Sequence, residues 1–462
     1  MLSSPASLDR AAALDRFHRI RARTRAFFDL LDPAVYYERP IRLRNPIVFY
    51  AGHLPAFAVN TLLKRALGQP GIDEHLETIF ARGIDPDEES AAVARGNPAW
   101  PSREVVTAYA VEADRRLADA IAHADLERDD NPLLRGAQAL WTILEHEEMH
   151  QETLAYIWHE APYAWKRKPE SYWTVPPRMA GLPARRSLGE GGTRPALQEH
   201  GVPTRVSVPA GVATLGTDLA VDRFGWDNER PSHQVDVEAF TIDVHNVTNA
   251  EYLAYVESEG VAAPHFWERD EVGAGVGAEV GAEAAWYWRA MFERVPLPAS
   301  WPVYVTWDEA NAYARWRGQR LPTEREFHRA AYGTSDGHER RFPWGETMPH
   351  RAPGNFDFSR WDPEPVGSHP DGVSAFGIHD LVGNGWEWTA DVFAPFDGFA
   401  PMASYPEYSA EFFDGEHVVM KGASPTTARA LTRRGFRNWF RPGYPYVYAT
   451  FRCVSSAGRR PA

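Results

Sequence analysis

The stretch NPLLRGAQALWTILEHEEMHQETLAYIWHEAP, residues 131–162, predicts one long helix that is built to be buried. Asn131 is a favourable N-cap, Pro132 stands in the first turn where a proline costs no hydrogen bond, and Pro162 follows the far end. The apolar positions with helical spacing are Leu133, Ala137, Leu140, Leu144, Leu154 and Ile157. Burying an unpaired polar side chain costs about 1–3 kcal/mol. Any polar group on this apolar face therefore needs a specific partner.

Two histidines, His146 and His150, lie four residues apart on this helix, so their imidazoles share one face. Neutral imidazole is a strong ligand for iron, zinc or copper, and such a pair can offer two nitrogens to one ion. The alternative is a pair of surface histidines on an acidic helix. The carboxylates that favour this alternative belong to Glu145, Glu147, Glu148 and Glu152. The pair alone leaves both interpretations open.

A third histidine, His53, lies in an apolar stretch that follows Pro46, among Phe49, Phe57 and Leu62. A lone histidine on an apolar, aromatic face is typical of a core residue with a satisfied hydrogen bond. The alternative is a third metal ligand, which the spacing of the residues alone does not establish.

The chain divides by composition into two domains and a linker. Four helices are predicted in residues 1–162: residues 8–32, the segment after Pro46, a segment that begins at the N-cap Ser102, and the helix of 131–162. Four antiparallel helices around a polar centre are a common metal-binding architecture. Residues 163–204 are rich in Pro, Gly, Arg and Lys and are predicted to be a linker. Residues 205–462 have short alternating stretches and many turns, which predicts an irregular α+β domain.

Composition excludes several classes of protein. At 462 residues the chain is long enough for two or three domains, and 44% hydrophobic and 13% aromatic residues indicate a globular protein. The net charge of -14 argues against nucleic acid or an anionic membrane as partner. A single cysteine, Cys453, excludes an intramolecular disulfide framework and multi-cysteine metal sites. With no signal peptide or membrane span evident, we expect a cytoplasmic monomer.

Motifs in the second half carry a family signature. WDNERPSHQVDVEAF (226–240), PVGSHPDGVSAFGIHDLVGNGWEWTAD (365–391) and the closing FRCV (451–454) resemble the sulfatase-modifying-factor, or formylglycine-generating-enzyme-like, domain. Residues 1–162 resemble a DinB-type helical bundle with one upstream histidine followed by HxxxHxE. Together the halves are similar to the ergothioneine and ovothiol sulfoxide synthases. The fold class expected is an all-α four-helix bundle followed by an irregular α+β, C-type-lectin-like domain.

This resemblance implies a metal centre and a reaction. His53, His146 and His150 would bind one iron(II) ion and leave positions for oxygen and substrate, with Glu152 orienting a ligand from outside the coordination shell. For Glu152 the alternative is a solvated helix carboxylate. The family joins a thiol, such as cysteine or γ-glutamylcysteine, to the imidazole carbon of a histidine derivative such as hercynine or histidine, with oxygen. Because formylglycine-generating enzymes use paired cysteines, Cys453 alone excludes their copper chemistry here.

Substrate contacts are predicted in residues 428–454. Asn438 and Trp439 align with a family pair that lies against the histidine-derived substrate. The basic cluster of this segment contains Arg433, Arg434, Arg437 and Arg441, of which we predict Arg434 and Arg437 to meet a substrate carboxylate. A structural role is the alternative for Arg437 and the preferred interpretation for Arg452.

The sequence also departs from the family. Phe393 and Phe396 stand where the family has two tyrosines, the first of them a proton donor; we keep both as substrate-contacting positions. Phe440 and Met149 replace an aspartate and, in some members, a glutamine. The candidates for a replacement donor are Tyr405, Tyr408, Tyr444, Tyr446 and Tyr448, with Tyr444 and Tyr446 preferred. A synthase of variant subtype is expected; alternatives are a thiol dioxygenase, an enzyme for another sulfur or selenium compound, and a non-catalytic ligand- or zinc-binding protein.

Overall fold

A computed structural model of the chain describes residues 8–81, 100–170, 172, 204–219, 222–269 and 285–456. These residues form two compact units. The first unit contains the described residues of 1–172, 217–231 and 395–411, and the second contains those of 173–216, 232–394 and 412–462. Two segments that follow the predicted linker in sequence, 217–231 and 395–411, therefore belong to the helical unit. The predicted linker, 163–204, lies mostly outside the described residues, so the domain boundaries stay a prediction.

The first unit is a helical bundle. Its α-helices are α1 (Arg10–Asp29), α2 (Ile47–Ala58), α3 (Glu74–Ile79), α4 (Arg103–His123) and α5 (Gln138–Glu160), and a π-helix (Val59–Ala66) continues α2. Helices α1 and α2 each pack against both α4 and α5. The four long helices enclose a core in which Phe17, Leu54, Leu117 and Ile157 are buried. The predicted four-helix bundle is confirmed.

The helix that carries two of the histidines begins later than the sequence predicts. The pattern places its N-cap at Asn131, whereas α5 begins at Gln138. Gly136 and Ala137 have φ angles of 59° and 58°, in the left-handed region that ends a right-handed helix. The Asn131 side chain instead closes a turn by accepting a hydrogen bond from the Leu133 amide at 2.9 Å. The predicted start at Asn131 is therefore wrong.

The second unit is built from short strands. They are β1 (Arg205–Val208), β2 (Gly211–Leu215), β3 (His233–Val237), β4 (Phe240–Asp243), β5 (Trp267–Arg269), β6 (Trp286–Arg289), β7 (Arg294–Pro296), β8 (Gly385–Val392), β9 (Val418–Ala423), β10 (Asn438–Phe440), β11 (Ala449–Thr450) and β12 (Val454–Ser456). The sheets have the orders β1-β4-β12, β10-β9-β8-β11, β2-β3 and β5-β6-β7. Val454 of the last strand pairs with Ile242 of β4, so both ends of this unit meet in one sheet.

Three short helices accompany these sheets: α6 (Asn249–Glu259), α7 (Trp307–Trp316) and α8 (Glu324–Tyr332). Each begins with a capping box, in which a threonine and the glutamate three residues later satisfy one another's backbone amides. The pairs are Thr248 with Glu251, Thr306 with Glu309, and Thr323 with Glu326. The irregular α+β architecture is confirmed. Among the helices of the described ranges, none is long and apolar enough to cross a membrane.

A buried ion pair holds the centre of the second unit together. The Arg452 guanidinium donates two hydrogen bonds of 2.7 Å to the Glu387 carboxylate, and both side chains are fully buried. Its remaining donors reach the backbone carbonyls of Asp243, Val244 and His379 at 2.8–3.2 Å. A buried charge needs this complete pairing because taking it out of water is costly. The structural interpretation of Arg452 is confirmed.

Candidate metal centre

Three histidines of the first unit meet inside the bundle. His53 lies on α2, and His146 and His150 lie one turn apart on α5. Each offers a ring nitrogen, and these nitrogens all lie within 4.8 Å of one another. The ring centroids are 4.4–5.2 Å apart. His53 and His146 are only 2% and 3% exposed, so the interpretation of His146 as a surface histidine is wrong, and His150 beside them is half-buried.

The hydrogen bonds of the rings leave nitrogens available for a metal ion. His53 Nδ1 lies 2.8 Å from the backbone carbonyl oxygen of Phe80 and donates to it, which leaves Nε2 with its lone pair. A backbone acceptor of this kind commonly orients a metal-ligating histidine. In the part of the chain that the structure describes, the buried Nδ1 of His150 has no hydrogen-bond partner. An unsatisfied buried nitrogen beside two other imidazoles fits a metal-binding role, because buried polar atoms normally have a partner.

Burial keeps these imidazoles neutral, which is the form that binds metal. It lowers the pKa of His53 to about 4, although the hydrogen bond to Phe80 opposes the shift. Burial also lowers the pKa of His146 and of His150 well below the usual value, and neighbouring histidines add to both effects. At neutral pH the centre therefore presents three uncharged nitrogen donors.

Aromatic rings cover the imidazoles. Phe57 stacks on His146 with a centroid distance of 3.5 Å and an interplanar angle of 9°. Phe49 stacks on His53 at 5.1 Å and 18°. These two phenylalanines lie on α2 with His53, one turn to either side of it. They fix the ring planes and exclude water from the side of the cluster that they cover.

A segment from the second half of the chain reaches this centre. The Tyr405 ring lies 5.1 Å from the Phe57 ring and 6.1 Å from the His146 ring, and both contacts are edge-on. The preceding residue, Ser404, is fixed to the bundle: its hydroxyl lies 2.8 Å from the Thr142 hydroxyl. No hydrophobic period marks 395–411 in the sequence, so nothing in the sequence alone predicts that it belongs to the first unit.

Trp226 and Tyr408 form a second contact with α5. The Trp226 indole nitrogen donates to the Glu145 carboxylate at 3.0 Å, and its ring stacks on Tyr408 at 4.0 Å. The Tyr408 hydroxyl donates to the sulfur of Met149 at 3.2 Å. Met149, which the sequence identifies as a departure from the family, is thus the partner of a tyrosine. The role of Trp226 is missed from the sequence, where it is only part of the WDNERP motif.

The carboxylates of α5 face the interior of the bundle. Glu152 is 8% exposed, so the alternative of a solvated helix carboxylate is wrong; its role in orienting a ligand stays a prediction. Glu147 pairs with Arg21 at 2.9 Å, and a neighbouring arginine, Arg16, pairs with Glu148 at 2.5 Å. The acidic residues of this helix therefore balance arginines of α1, and their charge does not indicate an exposed face.

Three predicted substrate residues of the second unit, Phe393, Asn438 and Trp439, lie at one aromatic stack. Phe393, 1% exposed, stacks on Trp439 at 4.2 Å and 7°, and Phe413 packs beside it at 4.8 Å. Asn438 precedes Trp439 on β10, and its side-chain oxygen accepts a hydrogen bond from the Trp439 amide at 2.9 Å. At the position where the family has a tyrosine, this chain thus has a core phenyl ring. Phe396 belongs to the first unit.

Both arginines predicted to bind a carboxylate already have partners. Arg437 is 3% exposed and donates to Glu324 at 3.1 Å and to a backbone carbonyl at 3.0 Å. Arg434 donates to the Thr214 carbonyl at 2.7 Å and to Glu339 at 3.1 Å. These contacts favour the structural interpretation of Arg437. Carboxylate binding by either residue stays a prediction.

The two preferred tyrosines also belong to the second unit. Tyr444 stacks on Phe440 at 4.9 Å, and Tyr446 lies edge-on to Tyr444 at 5.2 Å and to His265 at 5.0 Å. Phe440, the replacement for a family aspartate, therefore serves as the platform for a tyrosine. A catalytic role of Tyr444 and Tyr446 stays a prediction.

The donor set fits a metal with open coordination positions. Imidazole nitrogens bind such ions at about 2.0–2.1 Å, so small side-chain rotations bring nitrogens within 4.8 Å of one another onto one ion. Among the histidine, cysteine and acidic side chains of the described ranges, only these three form such a group. Cys453 is in the second unit and is buried. Three histidines without sulfur are typical of a reactive centre and not of a closed structural zinc site.

Comparison with known families agrees with this architecture. Residues 193–457 match the sulfatase-modifying factor enzyme 1-like domain, and residues 16–154 match the DinB superfamily. The class of protein is thus defined by two parts: a DinB-type four-helix unit with a buried histidine cluster, and a sulfatase-modifying factor enzyme 1-like domain.

Similar proteins match between 60% and 90% of the chain. The chain is 33% identical to the hercynine oxygenase of Mycolicibacterium smegmatis, over 87% of this chain and 88% of that protein. It is 37% identical to the hercynine oxygenase of Mycolicibacterium thermoresistibile, over 60% of this chain and 64% of that protein. To ergothioneine biosynthesis protein 1 of Neurospora crassa it is 28% identical, over 90% of this chain but 54% of that longer protein. The chain belongs to the family of the hercynine oxygenases and is an oxygen-dependent, oxidoreductase-type enzyme.

Proposed function

We propose that this enzyme uses iron(II) and oxygen to form a carbon–sulfur bond between a thiol and the imidazole ring of a histidine derivative. The observation that carries the proposal is the cluster of His53, His146 and His150, with one ring oriented by a backbone carbonyl and one buried nitrogen left without a partner. The similarity to hercynine oxygenases over most of the chain supports the same reaction class.

Iron(II) bound by the three histidines would supply the redox chemistry with oxygen. The protein contributes the arrangement around it. The Phe80 carbonyl keeps the proton of His53 on Nδ1, so that the lone pair of Nε2 remains available to a metal ion. The stacked ring of Phe57 fixes the plane of His146 and limits access of water from that side. Three neutral ligands leave an iron(II) centre with a net positive charge, which attracts a thiolate.

The reaction balances with one molecule of oxygen. The thiol loses its S–H hydrogen, the imidazole loses its C–H hydrogen, and a carbon–sulfur bond forms. Both hydrogens leave with one oxygen atom as water, while the other oxygen atom stays on sulfur as a sulfoxide. Oxidation of the thiol alone would instead place both oxygen atoms on sulfur as a sulfinate, which is the thiol dioxygenase reaction.

For the substrates we propose cysteine or γ-glutamylcysteine with hercynine or histidine. The names of the bacterial relatives support hercynine as the acceptor. Trp439, whose indole is half-buried, offers an aromatic face of the kind that attracts a quaternary ammonium group. Arg434 is the better of the two predicted carboxylate partners, because Arg437 is deeply buried and paired with Glu324.

We also propose that the enzyme acts as a cytoplasmic monomer on small molecules. The net charge of -14 disfavours binding to nucleic acid or to anionic lipid. The buried Cys453 has a pKa raised well above its usual value by burial, so it is a poor nucleophile. The thiol in the reaction is therefore expected to come from a substrate.

The test is anaerobic reconstitution with iron(II), followed by air and one pair of substrates, with products identified by mass spectrometry. His150→Ala removes a proposed ligand, and His18→Ala, at an exposed position of α1, is the matched control. We expect the coupled sulfoxide from the wild type and from His18→Ala, and none from His150→Ala. Cysteine sulfinate alone would favour the dioxygenase, which the phenylalanines at 393 and 396 make the second candidate. Unchanged substrates and no oxygen uptake would contradict both.

A further inference from the structure

We infer that Tyr405 is the catalytic phenol of this metal centre, although it lies far from the histidines in sequence. The inference rests on the proposed function and assigns to Tyr405 the role of donating a proton beside the His146 side of the site. The phenolic proton goes to the oxygen atom that is released as water, and the phenolate regains a proton through solvent from the hydrogens that the thiol and the imidazole lose. The overall balance of the reaction is therefore unchanged.

Position supports this assignment. Of the described tyrosines, two have ring contacts with the histidine cluster: Tyr405 with His146 at 6.1 Å, and Tyr50 with His150 at 6.2 Å. Tyr50 is 1% exposed and lies within α2, so substrate and solvent do not reach it. Tyr405 is half-buried. A proton donor must lie near the reacting group and also recover its proton from water. Tyr405 combines a ring contact with His146 and partial exposure, whereas Tyr50 has a ring contact alone.

The segment around Tyr405 is held in place firmly enough to position a proton donor. Arg65, in the π-helix that continues the His53 helix, donates to the backbone carbonyls of Ala403 and Ser404 at 2.9 and 3.1 Å. The Thr142 hydroxyl, one turn before His146 on α5, bonds the Ser404 hydroxyl at 2.8 Å. Tyr405 is therefore anchored through its neighbours to both helices that carry the ligands.

A second anchor lies on the other side of Tyr405. The Asp227 carboxylate accepts from the Ser409 hydroxyl at 2.5 Å and from the Met402 amide at 3.4 Å, so it joins the two ends of the segment. Asp227 is fully buried, and its pKa is raised by that burial. Tyr408 is committed elsewhere, because its hydroxyl donates to the Met149 sulfur. Within this segment, Tyr405 is thus the tyrosine whose ring contacts the histidine cluster.

The experiment compares Tyr405→Phe with Tyr50→Phe, and with Tyr37→Phe at a half-exposed position of the same unit. Each purified variant is loaded anaerobically with iron(II), and bound iron is measured. Nitric oxide is then added as a stand-in for oxygen, and the electron paramagnetic resonance spectrum of the nitrosyl complex is recorded. Air and the substrate pair follow, and rates and products are measured.

We expect Tyr405→Phe to bind iron within about twofold of the wild type but to change the nitrosyl spectrum, because a hydroxyl beside the bound gas is lost. Its turnover should fall about 10²–10⁴-fold, the usual contribution of a general acid. Tyr37→Phe should match the wild type in iron content, spectrum and rate. Tyr50→Phe should keep its turnover within about tenfold of wild type.

A Tyr405→Phe variant with wild-type spectrum and turnover overturns the inference; loss of turnover in Tyr444→Phe or Tyr446→Phe would then locate the donor in the second unit. That result would leave the proposed function intact. If the wild type binds iron but converts no substrate, the proposed function fails, and the nitrosyl spectra still decide whether the Tyr405 hydroxyl faces the metal. Tyr405 thus has a readout that does not depend on the choice of substrate.

Discussion

The histidine cluster of the first unit and the Arg452–Glu387 pair of the second are both polar groups inside a hydrophobic core. They differ in their hydrogen bonds, which are complete in the ion pair and incomplete in the histidine cluster. The guanidinium of Arg452 has its carboxylate and three backbone carbonyls. The cluster has one oriented ring and one buried nitrogen without a partner among the described residues. A buried charge whose hydrogen bonds are complete stays in the fold without a ligand, and removing one partner of such a pair is costly. Three neighbouring imidazoles whose hydrogen bonds are incomplete can instead bind a ligand.

The largest effect on stability should come from removing one partner of the Arg452–Glu387 ion pair. Arg452→Met leaves Glu387 charged and buried, which should cost about 3–5 kcal/mol of the free energy of unfolding. Chemical denaturation measures this loss. Arg429→Met is the matched control, because Arg429 also donates two side-chain hydrogen bonds to a carboxylate, here to one oxygen of Asp357, but is about half exposed. It should cost less than about 1 kcal/mol. The double variant Arg452→Met/Glu387→Leu should recover most of the stability, and failure to do so would contradict the ion-pair explanation.

Binding of iron(II) to the histidine cluster should stabilise the first unit. Iron(II) at one hundred times its dissociation constant should raise the free energy of unfolding by about 2.7 kcal/mol, measured anaerobically as an increase in Tm. His150→Ala should bind iron at least about a hundredfold more weakly and show no such increase, while its fold without metal remains intact. His18→Ala should respond as the wild type does. Stoichiometric iron retained by His150→Ala would remove that residue from the ligand set.

A smaller effect should separate buried from exposed hydrogen bonds of the same kind. Trp226→Phe removes the donor to the buried Glu145 carboxylate and should cost about 1–3 kcal/mol. Trp316→Phe removes an equivalent 3.0 Å bond to Glu259, but Trp316 is 37% exposed, so its loss should be close to neutral. Thermal unfolding of the two variants gives the comparison. Equal losses would mean that burial of the carboxylate does not decide the cost.

The smallest effect concerns a polar pair near the surface. The hydrogen bond to Glu364 raises the pKa of His369, so protonated His369 stabilises the folded state. This contribution should be fully present below the unfolded pKa of about 6.5 and be lost as pH rises through the higher folded pKa. It should amount to at most about 1 kcal/mol. In His369→Gln the free energy of unfolding should depend less on pH between the unfolded and folded pKa values of His369. An unchanged dependence would mean that other groups cause it.

The sequence predicts most of the fold because both halves carry patterns that depend on burial. The four-helix bundle follows from apolar periodicity, and the confirmed family from motifs such as WDNERP and GNGWEW. The start of α5 is missed because Gly136 and Ala137 adopt positive φ, and nothing in the composition marks an alanine that does so. Asn131 resembles an N-cap equally well when it closes a turn.

The candidate metal centre can also be predicted in part from patterns that depend on burial. Two histidines at helical spacing in an apolar segment make a ligand pair one of two open interpretations, and the family resemblance adds His53. The contact of His53 with the Phe80 carbonyl, however, involves a backbone atom that every residue possesses. Arg65 likewise anchors Tyr405 through carbonyls of its neighbours. Hydrogen bonds to backbone carbonyls cannot be predicted from the types of the residues that accept them. The importance of 395–411 therefore becomes visible only in three dimensions.

The chain enters the first unit three times, through 1–172, 217–231 and 395–411, and this connectivity bears on how the protein can be inherited and engineered. Recombination that exchanged only the N-terminal 172 residues with a relative would separate Arg65 and Thr142 from the segment they bind. Substitutions in the bundle and in these two distant segments are therefore expected to be selected together. A gene split after residue 172 would separate the bundle from the two later segments of the first unit.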